Sequence, residues 1–272
     1  MRTTWMVAAT LVAGVWLAGS PAVAQKSDAD WLAQCKEQQS GQFRHCEVRP
    51  LTWSAGGALH VDAQPNGGVQ VTGWDQGGIA GSARIQVQAY SEAEARSIAG
   101  QIVVGTSGGA LKADGPASRS GRSWSVSFAL SAPRHCDLDI ATVNGPVSIT
   151  GISGQIKATT TNGPLSLTEL GGKVYARATN GPLSIVLAGS SWQGEGLDAE
   201  TSNGPVSVAV PDGYSAQLDA RTVNGPFRVD IPVTVQGELT GSRVRSINAP
   251  IGGGGAPIRV ATTNGPMSIK KR

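Results

Sequence analysis

The chain has 272 residues, with 22 basic against 19 acidic side chains and a formal charge of +3. That balance lacks the dense basic footprint expected of a nucleic-acid binder. Charged residues make up only 15% and glycine alone supplies 37 positions, which excludes a charged helical or coiled-coil protein and favours turn-rich β structure.

The N-terminus reads Met1-Arg2, then an apolar run from Trp5 to Ala18, then Ala22-Val23-Ala24. A positive start, a short apolar stretch and an Ala-x-Ala site predict a secretory signal peptide over residues 1–24. The run is shorter than the ~20 residues of a membrane span. Leu17-Ala18-Gly19-Ser20 has the form of a lipoprotein acylation box with Ser in place of the essential Cys, so no thiol is there to acylate. The expected location is therefore exported, in the periplasm or at the cell surface.

Residues 25–50 form a small polar N-terminal segment, read as a short helix or coil. Export permits disulfides, and Cys35 and Cys46, close together in a segment with little core of its own, are expected to pair. The third cysteine, Cys136, is read as a buried small apolar residue.

Residues 51–135 read as a β-rich region. Ala58–Ala63 alternates apolar and polar residues, Pro65-Asn66-Gly67-Gly68 turns the chain, and Val69-Gln70-Val71 resumes the alternation. Ala83–Ala89 is a further strand. Ser91-Glu92-Ala93-Glu94 is a capping box and predicts a helix from about residue 92 to 100. Strands return at 102–104, 110–113 and 124–132.

Residues 136–272 are organised by one phrase. Asn-Gly-Pro occurs six times, beginning at Asn144, Asn162, Asn180, Asn203, Asn224 and Asn264, with a degenerate copy at Asn248-Ala249-Pro250. The steps are 18, 18, 23, 21, 24 and 16 residues, the mark of a stacked repeat. Six residues before each full copy stand Leu138, Ile156, Val174, Leu197, Leu218 and Ile258. Three after it stand Val147, Leu165, Leu183, Val206, Phe227 and Met267. Serines recur between the two apolar positions that follow the phrase, with Arg228 the exception. Side chains alternate between faces along a strand, so an apolar-inward strand leads into each Asn-Gly and another leaves it.

Two architectures fit this pattern. In an antiparallel meander each Asn-Gly tips a hairpin. In a parallel β-solenoid each is a corner, and equivalent residues stack. Recurrence of one residue type at each aligned position favours the solenoid, in which the Asn amides can form ladders. The β-rich region with its helix would cap one end, and Trp192, in a longer loop, is expected to cover the core. Lys270-Lys271-Arg272 is expected on an edge strand, where cations discourage further pairing.

The run Arg44–Arg49, the helix after Ala89, the stretch Gly194–Thr201, the repeated Thr-x-Asn-Gly and Gly252–Pro257 together resemble the bacterial DUF4097 family, over about residues 35–272. The resemblance implies an exported β-strand-repeat protein, of a kind carried under the label of adhesin, without an established enzymatic role.

No catalytic, cofactor or metal site is predicted. His45-Cys46 and His135-Cys136 are adjacent pairs whose side chains diverge on a strand and make poor joint ligands. Asp137 and Asp139 share a face beside His135. Calcium-binding rungs need a repeated Asp, which is lacking. The expected function is a non-enzymatic envelope module, structural or adhesin-like, whose partner is an envelope polymer or protein. One alternative is a polysaccharide-acting enzyme, for which Arg177, Glu200, Asp219 and Arg221 are the outward candidates; another is an envelope-stress or signalling accessory.

Overall fold

A computed structural model describes residues 27–37, 42–54, 56–63, 65–105, 110–232 and 245–272. The signal peptide expected over residues 1–24 lies outside them. In chain order come α1 (Asp28–Glu37), β1 (Phe43–Ser54), β2 (Leu59–Asp62), β3 (Val69–Trp74), β4 (Gly78–Ala89), α2 (Glu92–Gln101), β5 (Val103–Gly105), β6 (Ala110–Asp114) and β7 (Ser123–Pro133). The repeats supply β8 (Leu138–Asn144), β9 (Val147–Thr150), β10 (Ser153–Asn162), β11 (Leu165–Thr168), β12 (Gly171–Asn180), β13 (Leu183–Val186), β14 (Gly196–Asn203), β15 (Val206–Val210), β16 (Ala216–Asn224) and β17 (Phe227–Val229). The chain ends with β18 (Ser246–Ile251), β19 (Pro257–Asn264) and β20 (Met267–Lys271).

The fold is mostly β and solenoid-like, built as two ten-stranded sheets. The first runs β1-β4-β7-β3-β9-β11-β13-β15-β20-β17, and the second β18-β16-β19-β14-β12-β10-β8-β2-β6-β5. Each Asn-Gly carries the chain from the second sheet to the first. Within the repeats the rungs pair in parallel register: Ile156 lies beside Leu138 and Val174, and Leu165 beside Val147 and Leu183. The alternation seen in the sequence therefore stacks like on like. Leu138, Ile156, Val174, Leu197, Ile258 and Leu218 line one inner wall, and Val147, Leu165, Leu183, Val206 and Met267 the other, all at most 3% exposed. Each contributes ~1.5–3 kcal/mol of burial, which only a stack of rungs can collect.

Three ladders run along the corner. Asn144 Nδ2 donates to Asn66 Oδ1 at 2.9 Å, Asn162 to Asn144 at 2.8 Å, Asn180 to Asn162 at 2.9 Å and Asn203 to Asn180 at 2.9 Å. Asn264 then donates to Asn203 at 2.8 Å and Asn224 to Asn264 at 2.9 Å. The buried threonines two residues before Asn donate to the glycine carbonyl of the neighbouring rung, as Thr201 Oγ1 does to Gly181 O at 2.9 Å. The glycines stack too closely for a side chain: a Cβ on Gly163 would lie 2.2 Å from Gly145 O. Asn66 bridges Asn144, so the rungs begin at β2 and β3.

The observed order of rungs departs from the order along the chain. The last rung, β19 and β20, lies between β14–β15 and β16–β17. Lys270 and Lys271 thus end an interior strand, where they pair with β15 past the register of β17, and Arg272 lies just beyond it. Lys271 Nζ pairs with Asp212 at 2.6 Å, and Arg272 Nη2 with Glu169 at 2.8 Å. The degenerate Asn248-Ala249-Pro250 is no corner. It lies inside β18, which pairs antiparallel with β16 through Asp219↔Asn248.

At the other end the N-terminal segment holds more structure than expected. Cys35 on α1 and Cys46 on β1 form a disulfide. The segment read as helix or coil to residue 50 becomes strand at Phe43, and twelve residues pair antiparallel with β4. Helix α2 begins where the capping box placed it, with Ser91 Oγ accepting from Glu94 N at 3.2 Å. It runs to Gln101, one residue past the expected end. Arg49 donates to the Ala99 and Ile102 carbonyls at 2.9 and 2.6 Å, adding to the bond that Ala99 O already takes from the Ile102 amide at the helix C-terminus.

Candidate binding face

The outer face of the second sheet carries the charged side chains of the repeats in two rows. Register sets one row as His60, Asp139, Lys157, Tyr175, Asp198, Arg259 and Asp219. Two residues further along the strands runs the other: Asp62, Ala141, Thr159, Arg177, Glu200, Ala261 and Arg221. These rows exist because the positions five and three before the corner Asn point outwards on each Asn-Gly-Pro rung, and His60 and Asp62, six and four before Asn66, continue them on the first rung.

Neighbours in the rows pair. Asp139 lies 3.7 Å from both His60 Nδ1 and Lys157 Nζ. Arg177 is the hub of the next cluster. Its Nη1 is 3.1 Å from Asp198 Oδ1, its Nε is 3.6 Å from Glu200 Oε2, and its guanidinium sits 4.0 Å from the centroid of the exposed Tyr175 ring. Ala261 leaves a gap in the second row. There Arg177, Asp198, Glu200, Asp219, Arg221 and Arg259 surround an open depression of about 290 Å³. All four sequence-predicted outward candidates, Arg177, Glu200, Asp219 and Arg221, meet at it. Among the described residues Arg221, Arg259 and Asp219 make no ion pair within 4.0 Å.

Asp198 and Arg259 were missing from the sequence reading of this site. Alignment on Asn shows both in the position five before it, but only the rung order brings Arg259 between Asp198 and Asp219. A glycoside-cleaving pair needs two carboxyl groups free to flank one bond. Asp198 and Glu200 each engage the same guanidinium instead. Surface pairs of this kind contribute ~0–1 kcal/mol to stability.

The outer face of the first sheet is plainer. Ser148, Ser166, Ser184, Ser207 and Ser268 stack in one half-buried row that ends at Arg228. The residues around His135 line a cleft of about 630 Å³ where the second-sheet strands begin. His135 Nδ1 lies 2.7 Å from Ser153 Oγ, while Asp137 Oδ1 accepts from Gln155 N at 2.7 Å and is not directed at the imidazole. Asp139 lies instead in the first charged row. Cys136 is buried and unpaired, and burial pushes its thiol up, away from the reactive thiolate. Trp192 is buried against the rung seam and donates from Nε1 to Gly172 O at 2.9 Å. His45 lies 3.6 Å from Glu47, whose carboxyl is held below the usual range, chiefly by the hydrogen bond from Arg49. Among the described residues no group of three or more His, Cys, Asp or Glu side chains could hold a metal ion, and no helix is long and apolar enough to cross a membrane.

Fold and face together define a solenoid-like β-repeat protein with a charged outer sheet. The sequence model of the Toastrack DUF4097 family matches residues 89–270, and the chain belongs to that family. Similar solved structures include a candidate cell adhesion protein from Clostridium sporogenes, 11% identical, covering 84% of this chain and 100% of that one, with a TM-score of 0.45. A candidate adhesin from Bacteroides fragilis is 12% identical over 83% of this chain and 97% of its own, with a TM-score of 0.33. A candidate lipid binding protein from Parabacteroides distasonis is 12% identical over 84% and 96%, with a TM-score of 0.30. At these identities and scores the likeness bears on neither ligand nor activity. Among curated proteins no relative matches the chain.

Proposed function

We propose that the protein is an exported, non-enzymatic binding module of the bacterial envelope, and that the depression around Arg177, Arg221 and Arg259 is its contact site for a polar envelope polymer. In this reading residues 1–24 are the leader, 25–50 a disulfide-stapled segment, 51–135 the capped start and 136–272 one parallel β-solenoid with Asn-Gly corners. The observation that carries the reading is the engagement of both Asp198 and Glu200 by Arg177 on an open sheet face. That arrangement offers hydrogen bonds and charge to a passing chain and leaves no free carboxyl pair to cleave it. The disulfide between Cys35 and Cys46 supports export.

The test is to incubate purified protein with fractionated envelope glycans and lipids, measuring retention and product release together. Saturable retention without product is the expected result. The pair Arg221→Glu and Arg259→Glu is expected to weaken it about tenfold or more, as loss of central charged contacts does. Release of shortened glycan by the unaltered protein would overturn the reading in favour of the polysaccharide-acting alternative.

A further inference from the structure

The two ends of the rung stack differ. At the β2–β3 end the sheets continue into β6–β5 and β7–β4–β1. At the far end β17 is the last strand of the first sheet among the described residues. Its inward side chains, Phe227 and Val229, and Ile231 beyond them, are only half-buried. Their equivalents on other rungs, such as Val206, Met267, Val208 and Ile269, are at most 1% exposed. Among the described residues nothing completes the core along this edge.

The backbone says how it can be finished. Met267 N donates to Pro226 O at 2.9 Å and Asp230 N to Ile269 O at 2.8 Å, so the even-numbered residues of β17 turn their amides and carbonyls towards β20. The odd-numbered residues of β17, Phe227 and Val229, turn theirs to the open side, because successive peptide groups alternate along a strand. The neighbouring edge in the second sheet is blunted. Thr222 N donates to Arg245 O at 2.8 Å, which by the same alternation turns residues 246, 248 and 250 of β18 outwards. Pro250 then stands where a pairing edge needs a donor.

We infer that β17 pairs with a second copy of itself, antiparallel and centred on Val229, joining two molecules into one continuous sheet. In that register Val229 faces its own copy in a hydrogen-bonded pair and exchanges both backbone bonds with it. Phe227 then lies opposite Ile231, closing both inner walls. Arg228 lies opposite Asp230 on the outer face. Both are exposed, and among the described residues neither has an ion-pair partner within 4.0 Å. The segment Phe227-Arg228-Val229-Asp230-Ile231 is thus self-complementary in shape and charge about one central residue, which is what an isologous two-fold contact requires.

Sedimentation velocity of the purified exported protein across the micromolar range tests this. The unaltered protein should shift from monomer to dimer as concentration rises. Arg228→Asp should raise the dissociation constant about tenfold or more, because two symmetry-related pairs change from attraction to repulsion. Asp230→Arg should do the same, and the double exchange Arg228→Asp with Asp230→Arg should restore the dimer. Both side chains are exposed, so thermal melting should be unchanged in all three variants. A monomer at every concentration would overturn the inference, as would a dimer indifferent to either single change. Slow hydrogen exchange of the Val229 amide in a monomer would also overturn it, since the edge would then be occupied within one chain.

Discussion

The threonine ladder contains one gap, and filling it should stabilise the protein. Thr142, Thr160, Thr201, Thr262 and Thr222 each donate from Oγ1 to the glycine carbonyl of the adjoining rung, at 2.7 to 3.2 Å. The equivalent residue on β12 is Ala178, 4% exposed, stacked between Thr160 and Thr201. Its acceptor would be Gly163 O. Threonine already fits this site on the rungs either side, so Ala178→Thr needs no repacking beyond one more rung of the same kind. A net hydrogen bond contributes ~0.5–1.5 kcal/mol. For a domain of this size ~1 kcal/mol raises Tm by ~2–4 °C. Urea titration followed by circular dichroism is the assay, with Ala178→Val as control because it adds the same volume without a hydroxyl. If the valine variant gains as much as the threonine variant, or the threonine variant gains nothing, the ladder is packing alone and the hydrogen-bond account is wrong.

Asn180→Asp replaces the amide that donates to Asn162, leaving two acceptors face to face; a loss of ~1 kcal/mol or more is expected in the same titration. Deleting Met267–Arg272 should be far worse than trimming an edge. It removes Met267 and Ile269, both at most 1% exposed, takes from β17 its neighbour in the sheet and leaves β15 paired with β13 alone, a loss of at least ~3–6 kcal/mol from the two side chains, read as a collapse of the folded yield or of the urea midpoint. Burial pushes the Tyr214 phenol up to about 12. Its folded value lies above the unfolded one, so the stability it contributes is complete below pH ~10 and is lost on rising towards pH ~12, at ~1.4 kcal/mol per pH unit. Tyr214→Phe should flatten that alkaline limb of a stability-against-pH curve, and an unchanged limb would assign it to another group.

What the sequence made legible follows from periodicity. The strands flanking each Asn-Gly could be read because period-two alternation repeats at fixed distances from one residue. Helix α2 could be read because Ser91 and Glu94 write a capping box. The box differs in one detail: Glu94 reaches back to the Tyr90 amide, at 3.2 Å. Strand β1 was hidden because Arg44–Arg49 shows no alternation. Most of its residues are half-buried, with α1 against it, and its pairing with β4 is a contact between distant parts of the chain. The face around Arg177 was legible as single residues and not as a site. Its assembly depends on which rungs adjoin, and repeats with nearly the same seam residues carry little information about their own order.

That order has consequences on the outer face. The inward residues of the three last rungs are mostly aliphatic, with Phe227 the aromatic exception on the outermost one. In chain order Asp198 would lie directly beside Asp219 in the first charged row. The observed order puts Arg259 between them. Like charges opposite one another on adjoining strands cost ~0.2–1 kcal/mol, and opposite charges return a similar amount. The second row works the other way, since chain order would set Glu200 beside Arg221 and the observed order puts Ala261 between them, so the charges alone do not choose the order. The same interposition aligns Ala261 with Glu200 and Arg221 and so opens the depression. The observed rung order therefore completes the candidate contact site.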